Sequence, residues 1–272
     1  ADTELGFSLA SKVLKEHDKI IIHAPSYEKV TLAKILLLEY YPGAEIHIVY
    51  ASLDCLQEVY WMMSTITKEF ESIECLVLLT NRIMKKSFLK NNVECHQIAN
   101  ILVPFMCVVM GKELLAKASA PKVLLTSANS TYKLYTSQEG CSQTSKKQFA
   151  KSNNRVALLA QCVLNTLKKT CLVDVYHCIV PIQPEHKNTL LDKQKYSWRD
   201  RVCAIMQRWL NGKSDAALSQ LLQRTDKTQH VYQVSAGGSF SIHAKLRLKV
   251  AQSFDDKQVN DFTNELMFDT RL

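Results

Sequence analysis

Nine cysteines and eight histidines are the residues of this chain best suited to hold a metal or to pair a nucleophile with a base. Their spacing does not gather them. Cys55, Cys75, Cys95, Cys107, Cys141, Cys162, Cys171, Cys178 and Cys203 include no Cys-x-x-Cys pair, the arrangement that zinc sites and dithiol redox centres use. Cys95-His96 and His177-Cys178 are sequence neighbours. On a helix or strand such neighbours point apart, so a metal would need distant partners. They read as buried core thiols beside partly exposed histidines, and no metal is expected. The chain has no Gly-x-x-x-x-Gly-Lys-Ser/Thr loop, no Gly-x-Ser-x-Gly elbow and no His-Glu-x-x-His pair, which removes the commonest phosphate, acyl-transfer and zinc-protease signatures.

Two basic stretches offer a different chemistry. In Ser145-Lys146-Lys147-Gln148-Phe149-Ala150-Lys151, followed by Arg155, cations flank an aromatic, the combination that tracks a nucleic-acid backbone while stacking a base. A net charge of +8 gives that reading weak support. Lys245, Arg247 and Lys249 alternate with Leu246, Leu248 and Val250, which is also the pattern of a solvated strand or helix face.

The elements that must position these residues follow from composition and periodicity. With 47% hydrophobic and 22% charged residues over 272 positions, the chain is globular, neither disordered nor fibrous. Only 7 residues are glycine, far below the ~7% of average usage, and a phosphate cradle built on bare backbone needs glycine. An odd cysteine count with no secretory signal implies reduced thiols in the cytoplasm or nucleus. The longest apolar run, 98–110, contains Asn100 and Pro104 and is too short to cross a bilayer.

Short apolar runs alternate with helical periodicity along most of the chain. Helices are expected at 5–16, 28–41, 53–70, 88–117 and 153–169, and strands at 19–24, 45–50, 74–79, 122–126 and 172–180. Beyond these, 196–210 and 214–223 read as helices, 230–234 as an edge strand and 255–267 as an amphipathic terminal helix. Continuous apolar strands between helices imply a parallel sheet covered on both faces, a Rossmann-like, doubly wound α/β fold. No segment reads as a linker, so residues 1–272 form one domain.

Several local strings, taken in order, resemble the short-chain dehydrogenase/reductase superfamily, with the flavour of its 3-keto-sterol reductase and 17β-hydroxysteroid dehydrogenase branch. They are Leu5-Gly6-Phe7-Ser8-Leu9-Ala10, Leu53-Asp54-Cys55-Leu56-Gln57-Glu58-Val59, Ile83-Met84, Asn92-Val93, Lys122-Val123-Leu124-Leu125-Thr126-Ser127 and Phe149-Ala150-Lys151-Ser152-Asn153. The resemblance covers nearly the whole chain and rests on the order and spacing of strings that are individually weak.

It also implies where chemistry should sit, and those positions are eroded. The last glycine of the family's phosphate turn matches Gly6 and the middle one falls on Glu4, whose carboxylate would repel a diphosphate. The first glycine and the central first strand fall upstream of Ala1. A competing register takes residues 19–24 as the first strand and puts His23, Tyr27 and Lys29 at the glycine positions. The arginine that selects a 2′-phosphate matches Pro25, the adenine-holding aspartate matches Ser52, and a small residue lining the cofactor becomes Arg82. In the catalytic set the tyrosine and lysine fall on Phe149 and Asn153, and the serine falls on Ala128 with Ser127 or Ser130 one or two residues away. Asn92 alone is kept.

The expectation is a catalytically inactive, reductase-like protein with no cofactor that binds or scaffolds a protein partner. The helices that pair between subunits in this superfamily offer Val103, Met106, Cys107 and Val109, with Leu158, Ala160 and Leu164, as a dimer or heteromer surface. The alternatives are an NADP-dependent sterol or ketone reductase, or a lipid-binding protein, in which Ser127, Tyr132 or Tyr135 supplies the hydroxyl, and a nucleic-acid module using Lys146 and Lys147.

Overall fold

A computed structural model describes residues 2–79, 94–128, 143–180, 231–236, 246–250 and 254–270. In chain order the elements are α1 (Glu4–Val13), β1 (Lys19–Ala24), α2 (Tyr27–Tyr40), β2 (Glu45–Tyr50), α3 (Leu56–Glu69) and β3 (Cys75–Leu78). There follow α4 (Cys95–Ala116), β4 (Lys122–Ala128), α5 (Gln143–Leu167), β5 (Asp174–Val180), β6 (Val231–Ala236), β7 (Leu246–Val250) and α6 (Asp256–Thr270). The helices expected at 196–210 and 214–223 lie outside the described residues, as do residues 88–93 of the expected long helix.

The strands form two blocks, β1–β2 and β3–β4–β5–β6–β7, parallel throughout except for the β6–β7 pair. Residues 230–234 were expected at an edge, yet β6 lies between β5 and β7. Among the described residues the edge belongs to β7, where Leu246, Leu248 and Val250 register with Ala236, Val234 and Tyr232 while Arg247 and Lys249 register with Ser235 and Gln233. Cations along an outermost strand disfavour further strand pairing.

Helices cover both faces, as a parallel sheet requires. On one side α1 reaches across the two blocks. Leu5 and Leu9 pack with Leu124, Tyr176 and Cys178, whereas Ala10 and Leu14 join Ile22, Ala24, Val30, Leu37 and Ile46. On the other side α3, α4, α5 and α6 bury Val123, Leu125 and Val175, with Ile21 and Val49 against the same cluster. Between the blocks the sheet breaks, because among the described residues no strand pairs with the second edge of β1 or of β3. The break falls where the register through Gly6 places the first strand. All four residues of β3 are half-buried, in contrast to Val123, Leu124 and Leu125 on β4, which are fully buried.

Helix α4 continues through Pro104. Proline has no N–H for the carbonyl four residues before it, and the preceding turn, Ile98–Leu102, widens to a π turn in which the Val103 N–H reaches the Ile98 carbonyl. At 22 residues the helix is longer than the expected apolar run and is apolar enough to span a membrane, but 78% of its most apolar stretch is buried inside the protein. Helix α5 begins ten residues earlier than its periodicity suggested.

The terminal helix α6 closes this side. Val259, Phe262 and Leu266 are buried, the Cys162 thiol reaches the Val259 carbonyl at 3.6 Å, and Arg155 pairs with both carboxylate oxygens of Glu265 at 2.7 and 2.8 Å while lying 4.3 Å over the Phe262 ring. Truncating Leu266 to alanine is expected to cost about 2–5 kcal/mol in urea unfolding. The same change at Phe254, 37% exposed just before α6, should stay within about 0.5 kcal/mol.

Candidate functional site

The carboxyl ends of the strands are where ligands bind in open α/β sheets, and several polar groups among the described residues there are hydrogen-bonded to one another. At the start of α1, Thr3 Oγ1 accepts the Gly6 N–H at 3.0 Å, so one of the donors a diphosphate would use is already capped. The Glu4 backbone opens this helix. Pro25 is half-buried in the turn from β1 to α2, next to the Ser26 cap. Ser52, after β2, donates its hydroxyl to Asp54 and its backbone N–H to Glu58 at 2.8 Å. His23, a glycine position in the competing register, ties the ends of β1 and β2 together through the Ala51 carbonyl at 3.0 Å.

A second set of contacts lies between α4 and α5. Glu94 caps α4, accepting the His96 and Gln97 N–H groups at 2.8 and 2.6 Å, and its carboxylate also meets His96 Nδ1 at 2.8 Å. The fully buried His96 ring stands edge-on to Phe149, with centroids 6.0 Å apart. Phe149 is 1% exposed. One turn on, Ser152 donates to the Phe149 carbonyl at 3.0 Å and accepts from Asn100 Nδ2 at 3.3 Å. Asn153 is half-buried on the same helix.

At the end of β4, Ser127 Oγ lies 2.7 Å from His177 Nε2 on β5, and both side chains are buried. The register sets Leu125 beside His177, and alternation puts Ser127 on that same face, toward α4 and α5. Burial holds the His177 ring down to a pKa of about 4, so it is neutral at physiological pH and can exchange a hydrogen bond with the serine hydroxyl but carries no charge.

The sequence positions are therefore only partly brought together. Phe149 and Asn153 share α5, with Ser127 and the backbone of Ala128 at the end of β4. Asn92, Arg82, Ser130, Tyr132 and Tyr135 lie outside the described residues. The histidines of the two Cys-His pairs, expected to be partly exposed, are buried with 0% and 5% of their surfaces accessible. The sequence did not single out His177, Ser152 or Asn100 as partners; the one available signal was a polar residue, Asn100, inside an apolar run. The thiols of Cys107 and Cys162 are pushed by burial up to about 12 and about 11, which removes them as nucleophiles.

The expected dimer surface needs correction. Val103, Met106, Cys107, Ala160 and Leu164 are buried in the chain's own core, and Val109 and Leu158 are half-buried against it. Helix α6 packs on part of that face, so these side chains are used within one chain. Phe149 likewise cannot stack a nucleobase, although Lys147 and Lys151 beside it are exposed.

The His177 environment fixes a pH dependence. The unfolded ring, near 6.5, binds a proton that the folded ring refuses until about 4, so stability conferred by the neutral ring is complete above pH 6.5 and is lost as pH falls toward 4. At most about 3 kcal/mol is at stake. Urea unfolding across that window should show a shallower decline in His177→Asn than in the parent chain.

No protein-family model and no curated protein matches the chain. Solved structures do. It is similar to an NADPH-dependent reductase involved in bacilysin biosynthesis, with 13% identity, a TM-score of 0.59, and 88% of this chain and 96% of that one covered. A short-chain dehydrogenase from Streptomyces avermitilis gives 11%, 0.59, 100% and 90%. A short chain oxidoreductase from Pseudomonas aeruginosa PAO1, described as containing an atypical catalytic center, gives 14%, 0.57, 89% and 95%. At these identities the likeness speaks for architecture alone, and the chain has the Rossmann-like fold of the short-chain dehydrogenases and reductases.

Proposed function

We propose that this chain is a catalytically silent protein of the short-chain dehydrogenase/reductase fold that works by binding or scaffolding a protein partner in the cytoplasm or nucleus. The observation that carries the reading is Phe149, a phenyl ring 1% exposed and set against His96 at the position where the resemblance places the proton-donating tyrosine. A buried phenyl ring has no proton to give. Asn153 replaces the cation that would lower a tyrosine's pKa. Ser152 hydrogen-bonds the Phe149 carbonyl and Asn100, and at other element ends Thr3 and Ser52 likewise hydrogen-bond protein groups.

A rewired ketone reductase or lipid-binding protein is the second reading, favoured by the Ser127–His177 contact, which leaves one hydroxyl at the end of β4. The structural neighbours described as reductases lend it weight by analogy only. The nucleic-acid reading loses its stacking aromatic with the burial of Phe149, and retains only exposed lysines.

The purified chain, assayed with NADPH and a panel of keto-sterols and aliphatic ketones, should consume no cofactor above the buffer rate. Turnover that disappears in Ser127→Ala would establish the second reading instead. Phe149→Tyr should not restore activity and should destabilise the fold by about 1–3 kcal/mol, because the added hydroxyl is placed at a fully buried position.

A further inference from the structure

Helix α2 turns Val30, Ala33 and Leu37 toward the sheet, and all three are buried. Its opposite face should be polar, since a surface helix ordinarily shows charges to water there. Instead Leu32 and Ile35 are 45% and 52% exposed, Leu36 is half-buried beside them, and Tyr40 at the end of the helix is 71% exposed. Apolar residues at i, i+3 and i+4 in solvent have the spacing of a seam between two helices.

The charges around this stripe have a symmetry of their own. Lys29 and Glu39 are both exposed and stand at equal distances along the helix from residue 34, near the middle of the stripe. If two copies of α2 lie antiparallel about a two-fold axis beside residue 34, Leu32 of one meets Leu36 of the other, Ile35 packs near the axis, and Lys29 meets Glu39 at both ends. A two-fold contact demands such self-complementarity. Of the other charges, Lys34, level with the axis, is half-buried on the flank of the helix, about 100° of rotation from Ile35 on the side away from Leu36. Glu28 is engaged at the helix start, where a backbone hydrogen bond and the Ser26 hydroxyl hold its carboxyl below the usual range.

We propose that the outer face of α2 is a homodimer seam, with a second copy of this chain as its occupant. Helix α2 shares its buried cluster with α1, β1 and β2 and not with α5, so the seam stands whether or not the site at α5 is silent. A single helix pair buries little area, so the dimer belongs to the weak end of specific interfaces, with association in the micromolar range.

Sedimentation velocity on the full chain tests this. Between about 1 µM and about 100 µM, concentrations that bracket a micromolar equilibrium, the mass should climb from 30.9 kDa toward twice that value. Ile35→Lys should keep the chain monomeric with an unchanged circular dichroism spectrum. Lys29→Glu should weaken association about tenfold, and Lys29→Glu combined with Glu39→Lys should recover most of it, since swapping both charges preserves the pairing. A monomer at every concentration would overturn the proposal. So would association indifferent to Ile35→Lys, or a double charge swap as weak as the single one.

Discussion

A parallel sheet offers no face to water, and the need to cover both of its sides governs the rest of this structure. Helix α1 is the clearest case. It is ten residues long, yet it spans the break between the strand blocks, with Leu5 and Leu9 over one and Ala10 and Leu14 over the other. On the far side α3 to α6 share a single apolar cluster with Val123, Leu125 and Val175. That demand consumes the side chains of α4 which, read along the sequence, suggested a surface for another subunit. It also explains how a helix as apolar as Cys95–Ala116 sits inside a folded core.

The same constraint shapes the polar groups at the carboxyl ends of the strands. Polar atoms removed from water must find partners, and these find them inside the protein: Thr3 with Gly6, Ser52 with Asp54, Glu94 with His96, Asn100 with Ser152, Ser127 with His177. Phe149 completes the pattern by filling with a ring the place where the resemblance puts a hydroxyl.

Much of the fold was legible because its strongest signals are local. The strands at 19–24 and 45–50 were readable at their observed limits, since each is an apolar run bounded by turn residues, and the break in the sheet followed from matching Gly6 to a glycine-rich turn. What could not be read depends on tertiary contact. The first turns of α5, from Gln143 onward, carry polar residues with little apolar period. The interior place of β6 is decided by β7, whose alternating cations fit a strand or a helix equally well. The burial of His96 and His177, and the cover that α6 gives to α5, come from residues far apart in sequence, and α6 meets α5 across about a hundred positions.

The proposed function amounts to a short-chain dehydrogenase/reductase fold that persists without binding its nicotinamide cofactor. Ligand linkage tests it without assuming any substrate, because a ligand that binds the native state raises unfolding stability by about 2.7 kcal/mol at a hundred times its Kd. Urea unfolding of the full chain with and without saturating NADPH is the direct measurement. Superimposable curves are the predicted result, and a midpoint displaced to higher urea by the cofactor would contradict the account.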